Sequence, residues 1–154
     1  MTLKKVSTAR GSYNSAEIIL ENPEFRLKKM FHQKELQVLH KMKKASTGQI
    51  KKDLEEEIYR KVVVWNEMKR KSPYYFDFHG LTKRGAVRYT KRIMTSMRCN
   101  NVSEARIETG RGNHSVDKRP RIKTHLMAIF NQEWRKFSIE TEEYNDGILM
   151  LRIH

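Results

Sequence analysis

Asp77 and His79 are separated by one residue, Phe78, and followed by Gly80. Residues two apart in an extended strand project from the same face, so this spacing sets a carboxylate beside an imidazole. The carboxylate can hold the ring's orientation and raise its pKa, preparing it to move a proton. The same two groups could instead ligate one divalent metal, or simply cap neighbouring backbone at a sheet edge. The fragment alone leaves all three readings open.

A second constellation is Thr109-Gly110-Arg111-Gly112-Asn113-His114-Ser115. Glycines that follow a strand let backbone N–H groups turn toward an anion. Arg111 adds a bidentate phosphate donor, His114 another polar contact and Ser115 a hydroxyl. Lys118, Arg119, Arg121 and Lys123 come next, approaching the N-terminus of an expected helix, itself an anion-attracting place. A third feature breaks a local rule. Lys83 and Arg84 fall in the first turn of a helix that Thr82 can cap, where the helix dipole disfavours cations by a few tenths of a kcal/mol each. A bound phosphate would supply the missing negative charge there.

Other chemistries lack their patterns. His32, His40 and His125 have no HExxH-type spacing, and no GxSxG, Walker-type loop or EF-hand loop occurs. Cys99 is the single cysteine, which excludes an intrachain disulfide and a multi-cysteine zinc site. It suits an intracellular, reducing compartment, with the cytoplasm expected first and the nucleus or a mitochondrion as alternatives. No segment approaches the ~20 apolar residues that span a bilayer, and no apolar leader follows the first basic residues, so no membrane partner is expected.

Charge points to the partner. The formal net charge is +14, favouring a polyanion. It is unevenly spread: Lys83 to Lys123 holds 12 Lys/Arg against 3 acids, whereas Thr124 to His154 holds 3 against 5. A surface charged for solubility alone need not concentrate its cations in this way.

The elements that must position these residues divide at Ser72-Pro73. Residues 1–15 read as a basic flexible tail and 16–72 as a helical extension. Within it, Ile50, Leu54, Ile58, Val62 and Trp65 recur at helical spacing over 48–70. A looser helical pattern covers 24–43, with Ala45-Ser46-Thr47-Gly48 as the turn between. Those stripes would pack within the molecule or offer a docking face to a ribosome or another protein. Residues 73–154 form the third segment, reading β-α-β-α-β-β. Tyr74, Phe76 and Phe78 alternate with Tyr75, Asp77 and His79, and a helix runs from Thr82 to about Met97. A strand carries Ala105, Ile107 and Thr109. Pro120 suits the first turn of a helix with Ile122, Leu126, Ile129 and Phe130 on its buried face. Phe137, Ile139 and Thr141, then Leu149, Leu151 and Ile153, make two more strands around Asp146-Gly147, in a loop longer than two residues. The expected class is α/β, a two-layer α+β sandwich with helices packed on a four-stranded mixed sheet.

In this order the motifs resemble the Smr (small MutS-related) family. Its Leu-Asp-x-His-Gly-Leu element is similar to Phe76-Asp77-Phe78-His79-Gly80-Leu81, and its Thr/His-Gly-Lys/Arg-Gly turn to Thr109-Gly110-Arg111-Gly112, with Ser115 shortly after. The resemblance covers roughly residues 74–154. Phe76 departs from it as aromatic for aliphatic, and Lys83-Arg84 replaces a helix start that is often more acidic. The resemblance implies a βαβαββ domain similar to the C-terminal domain of a bacterial translation initiation factor. It also implies nucleic-acid binding and, in many members, endonuclease or nicking activity; some eukaryotic relatives cut mRNA at stalled ribosomes.

The expectation is therefore an Smr-type endonuclease, with RNA placed ahead of DNA and a link to mRNA or ribosome quality control. His79 would act as general acid/base and Asp77 would orient it. Arg111, the backbone N–H groups of Gly110 and Gly112, and His114 would hold the phosphate, with Lys83, Arg84, Thr109, Ser115, Lys118, Arg119 and Arg121 completing the nucleic-acid surface. RNA requires no metal, because its 2′-OH can attack; for DNA, Mg or Mn on Asp77 would activate a water. The alternative is a non-catalytic RNA- or DNA-binding module that recruits a partner through its N-terminal helices.

Overall fold

The computed structural model describes residues 22–112, 116–133 and 135–154. The basic tail, His114 and Ser115 lie outside the described residues. Helix α1 spans Pro23–Ala45 and α2 spans Gly48–Met68. Strand β1 (Tyr75–Asp77), helix α3 (Lys83–Cys99) and strand β2 (Glu104–Glu108) follow, then helix α4 (Arg121–Phe130) with a short 3-10 turn, and strands β3 (Phe137–Glu142) and β4 (Asn145–Ile153).

The four strands form one mixed sheet in the order β1-β2-β4-β3. β1 and β2 are parallel, joined by the α3 crossover, while β4 runs antiparallel to both β2 and β3. Strand alternation decides the two faces. Phe76, Ala105, Ile107, Ile139, Leu149 and Leu151 point into the core. The opposite face is polar, with Arg106 paired to Glu142 and Arg152 to Glu104 and Glu140.

Helices cover the apolar face. Ala86, Tyr89, Ile93 and Met97 of α3 and Leu126 and Phe130 of α4 are buried there. Ile58, Val62 and Val63 of α2 belong to the same core cluster, so the stripe of α2 is spent within the molecule. Asn22 starts α1 by accepting the Glu24 N–H, with Pro23 in the first turn. Phe25 and His32 of α1 stack on Trp65 of α2.

Several local details differ from the sequence reading. The first strand is Tyr75–Asp77 alone: Tyr74, at φ +58°, precedes it in a turn and His79 follows it in another. Ile50, expected on the inner stripe, is 66% exposed in the first turn of α2. Ile129 is also exposed, because the inner side of α4 is carried by Leu126 and Phe130. Pro120 is the residue just before α4 rather than inside its first turn. Finally, the β3–β4 connection is Glu143-Tyr144, since Glu142 pairs with Asn145. Asp146-Gly147 lies within β4 instead, where the register jumps to Thr141 opposite Leu149. A bulge absorbs the extra residues and bends the strand.

Candidate functional site

The parallel pairing of β1 and β2 places their C-terminal ends side by side, with Asp77 in register with Glu108. The two constellations of the sequence, Asp77–His79 and the Thr109–Gly112 turn, therefore leave the sheet at one edge. In open sheets this end of parallel strands is where ligands collect.

Asp77 Oδ1 accepts a hydrogen bond from the His79 backbone N–H at 2.8 Å and lies 2.6 Å from His79 Nδ1. Lys69, from the end of α2, donates to the other oxygen, Oδ2, at 3.1 Å. Burial alone would raise the Asp77 pKa, but the ring and backbone of His79 and the Lys69 charge outweigh it and hold it at about 2. The Asp77 hydrogen bond also raises the His79 pKa above its ordinary 6.5, against an opposing effect of burial. With Nδ1 committed to the carboxylate, Nε2 is the nitrogen left for chemistry. The His79 side chain is 52% exposed, so a substrate can reach it.

Gly110 faces that nitrogen. A Cβ added at Gly110 would sit 2.8 Å from His79 Nε2, and its φ of +75° is itself a glycine conformation. The glycine thus keeps the reactive atom uncovered. It does not act as the anion-binding amide expected from the sequence: its N–H donates to Gly147 O at 3.2 Å, and Thr109 N–H donates to the same oxygen at 2.9 Å. The β4 bulge is what presents that oxygen. Gly112 has a different reason for being glycine. Its Cβ would lie 2.5 Å from the Arg119 carbonyl carbon, so the turn packs on the chain entering α4.

Among the expected cations, Arg111 is exposed between these two glycines. Arg121 pairs with Asp117 through Nε and Nη2, and Lys123 binds Asp146 O at 3.0 Å, so local carboxylate and carbonyl oxygens already engage both. Lys118 and Arg119 are exposed. Lys83 and Arg84 occupy the first turn of α3, where Thr82 Oγ1 accepts the Gly85 N–H at 3.0 Å. Arg84 lines a separate cleft with α1 and α2.

Sequence reading missed the support supplied by α2. Asn66 is 5% exposed, and its amide donates to Asp77 O and His79 O, both at 2.9 Å. β1 is an edge strand whose even-numbered residues bond to β2, as Phe78 N–H does to Glu108 O. The Asp77 carbonyl therefore faces the open edge, and Asn66 satisfies it together with the His79 carbonyl of the turn that follows. Gly80, with φ +85°, completes the turn beneath and brings the position of its missing Cβ within 3.4 Å of Val62 Cγ1. The available signal was a lone amide in phase with Ile58 and Val62 on an otherwise apolar stripe.

A divalent cation fits this arrangement poorly. Both Asp77 oxygens are engaged, one by an ammonium, and among the described residues no three His, Cys, Asp or Glu side chains cluster for a metal. No helix among the described residues is long and apolar enough to cross a membrane.

No family model and no curated protein matches this sequence. The chain is similar to the solution structure of the B3BP Smr domain at 25% identity and a TM-score of 0.43, over 65% of this chain and 92% of that one.

Proposed function

We propose that this protein binds nucleic acid at the shared end of β1 and β2 and cleaves RNA there with His79 as the proton-transfer group. The observation that carries the reading is the His79 imidazole, fixed through Nδ1 by Asp77 while Nε2 abuts a glycine that cannot cover it. The net charge of +14 and its concentration between Lys83 and Lys123 support a phosphate-backbone partner. The sequence resemblance to the Smr signatures points the same way.

In this reading the substrate's 2′-oxygen attacks phosphorus and loses its proton to solvent. The bond to the 5′-oxygen breaks, and His79 Nε2–H protonates that leaving oxygen. The raised pKa of His79 suits the donor role. Arg111 neutralises the charge gathering on the non-bridging oxygens. No step is routed through a metal, because Lys69 occupies the place on Asp77 that a cation would need. The expected product carries a 2′,3′-cyclic phosphate, and DNA, lacking the 2′-OH, binds without being cut.

The test compares wild type with the Asp77→Ala/His79→Ala double variant on labelled RNA. The reading expects cleavage to disappear while affinity stays within a few fold; unchanged cutting by the double variant would overturn it.

A second reading, a binding module without catalysis, has its own observation. Leu27, Phe31, Val38 and Met42 recur at helical spacing along α1 and are all exposed, leaving an apolar stripe on a helix that also carries many lysines. An acidic amphipathic segment would suit that stripe. Salt-sensitive RNA binding with no product in Mg2+, Mn2+ or EDTA would favour this reading over the first.

A further inference from the structure

A cleft of about 650 Å³ opens on the other side of the Gly80–Thr82 turn, between the α1–α2 hairpin and the start of α3. Its volume is in the range of ~300–1,000 Å³ common for small-ligand sites. Gly80 lines it, so its wall begins one residue beyond His79.

The cleft contains a flat cation held along one face and one edge. Arg88 Cζ lies 4.3 Å from the centre of the Tyr59 ring, and both terminal nitrogens of Arg88 bond the Glu56 carboxylate. One guanidinium face is therefore on Tyr59 and the edge is held by Glu56. The Arg88 side chain is still 55% exposed, which leaves the opposite face to solvent. A guanidinium oriented in this way offers a plane on which an unpaired base stacks. Lys43, Lys52 and Arg84 also line the cleft and outnumber Glu55, the lining carboxylate that Arg88 does not engage. Phosphate is the group that such cations attract.

We propose that this cleft is a nucleotide subsite: one unpaired nucleotide next to the scissile phosphate stacks its base on Arg88 and sets its phosphate against Lys52 and Arg84. The proposal rests on the reading of His79 as the cleavage centre and adds what lies beside it. It makes the enzyme selective for single-stranded RNA, since a paired base cannot reach the Arg88 plane. It also gives the α1–α2 hairpin a part in substrate binding, through Lys43, Lys52 and Tyr59.

The test follows backbone amide shifts of the full chain during titration with adenosine 5′-monophosphate, and then with a short single-stranded oligoribonucleotide. Both ligands are expected to move Gly80, Gly85 and Arg88. Arg88→Lys keeps the charge but loses the plane and should weaken both at least fivefold. Inorganic phosphate should bind that variant as it binds wild type. Lys52→Glu, at an exposed position that makes no contact holding the Arg88–Tyr59 stack, should weaken the mononucleotide several-fold and covers the case in which Arg88→Lys disturbs folding. Shifts confined to Gly110–Gly112, or binding within twofold of wild type in both variants, would overturn the subsite. RNA cleavage without any cleft shift removes the subsite and leaves the His79 reading standing. A mononucleotide seated in the cleft of a protein that cuts nothing supports the subsite and removes the cleavage reading.

Discussion

Gly110→Ala separates the chemistry of the site from its stability. Two effects follow from the structure. The backbone φ of +75° costs an alanine roughly 1 kcal/mol, and on a chain of this size that lowers Tm by about 2–4 °C. The new methyl would also lie 2.8 Å from His79 Nε2, too close for the imidazole to remain where it is. The ring must then shift, bending or breaking its 2.6 Å contact with Asp77 or turning Nε2 away from its present position. Either result removes the oriented proton donor, and proton transfer of this kind is worth about 10²–10⁴ in rate. The assay is single-turnover cleavage of a labelled RNA, with affinity followed by fluorescence anisotropy. Gly48→Ala is the control: its φ is +61° but nothing lies within 4 Å of the added Cβ. It should lose similar stability and keep its rate. A folded Gly110→Ala protein that cleaves within threefold of wild type would refute the account of why this residue is glycine.

Asn66→Ala should cost about 2–4 kcal/mol in a urea melt, from two lost hydrogen bonds and the β1 carbonyls left facing a void; a change below about 0.5 kcal/mol would mean that other groups satisfy that edge. Folding stability should respond to pH in two windows. Asp77, lowered from 3.8 to about 2, contributes at most about 2 kcal/mol that is complete above pH 4 and lost as pH falls through about 2. His79, whose pKa is raised, contributes stability complete below pH 6.5 and lost as pH rises through its folded value. Cleavage should share the second window, falling as His79 loses its proton, and Lys69→Met should move that limb to higher pH because Lys69 opposes the imidazolium. A limb that stays in place in Lys69→Met would contradict the charge coupling between Lys69 and His79.

The alternation through Tyr75–Asp77 and the helix capped by Thr82 were legible in the sequence, because burial on one sheet face imposes period two and an N-cap imposes a residue type; that His79 lies in the turn beyond the strand was not. Nor was the meeting of the two motifs at one sheet end: it follows from the parallel register of β1 and β2, whereas the sequence offered only a mixed sheet and the order of the motifs. The role of Gly110 was not legible. Its need for a bare α-carbon depends on His79, distant in sequence and brought near only by the β1–β2 register. The Gly147 carbonyl was hidden for a similar reason, since Asp146-Gly147 reads as a hairpin turn until the bulge in β4 is known. Asn66 and Lys69 belong to a helix that sequence texture separates from the rest, yet their amide and ammonium hold the edge strand and its carboxylate. Periodicity tells which face of a helix is buried, not which backbone that face will meet.

The central claim is that His79, oriented by Asp77, protonates the leaving 5′-oxygen as the RNA's own 2′-hydroxyl attacks. Its most direct test is the chemistry of the product ends after wild-type protein acts on end-labelled RNA in EDTA. The account predicts cleavage that leaves 2′,3′-cyclic phosphate and 5′-hydroxyl ends, with no cutting of the matching DNA strand. Products ending in 5′-phosphate, formed only when a divalent metal is supplied, would contradict it.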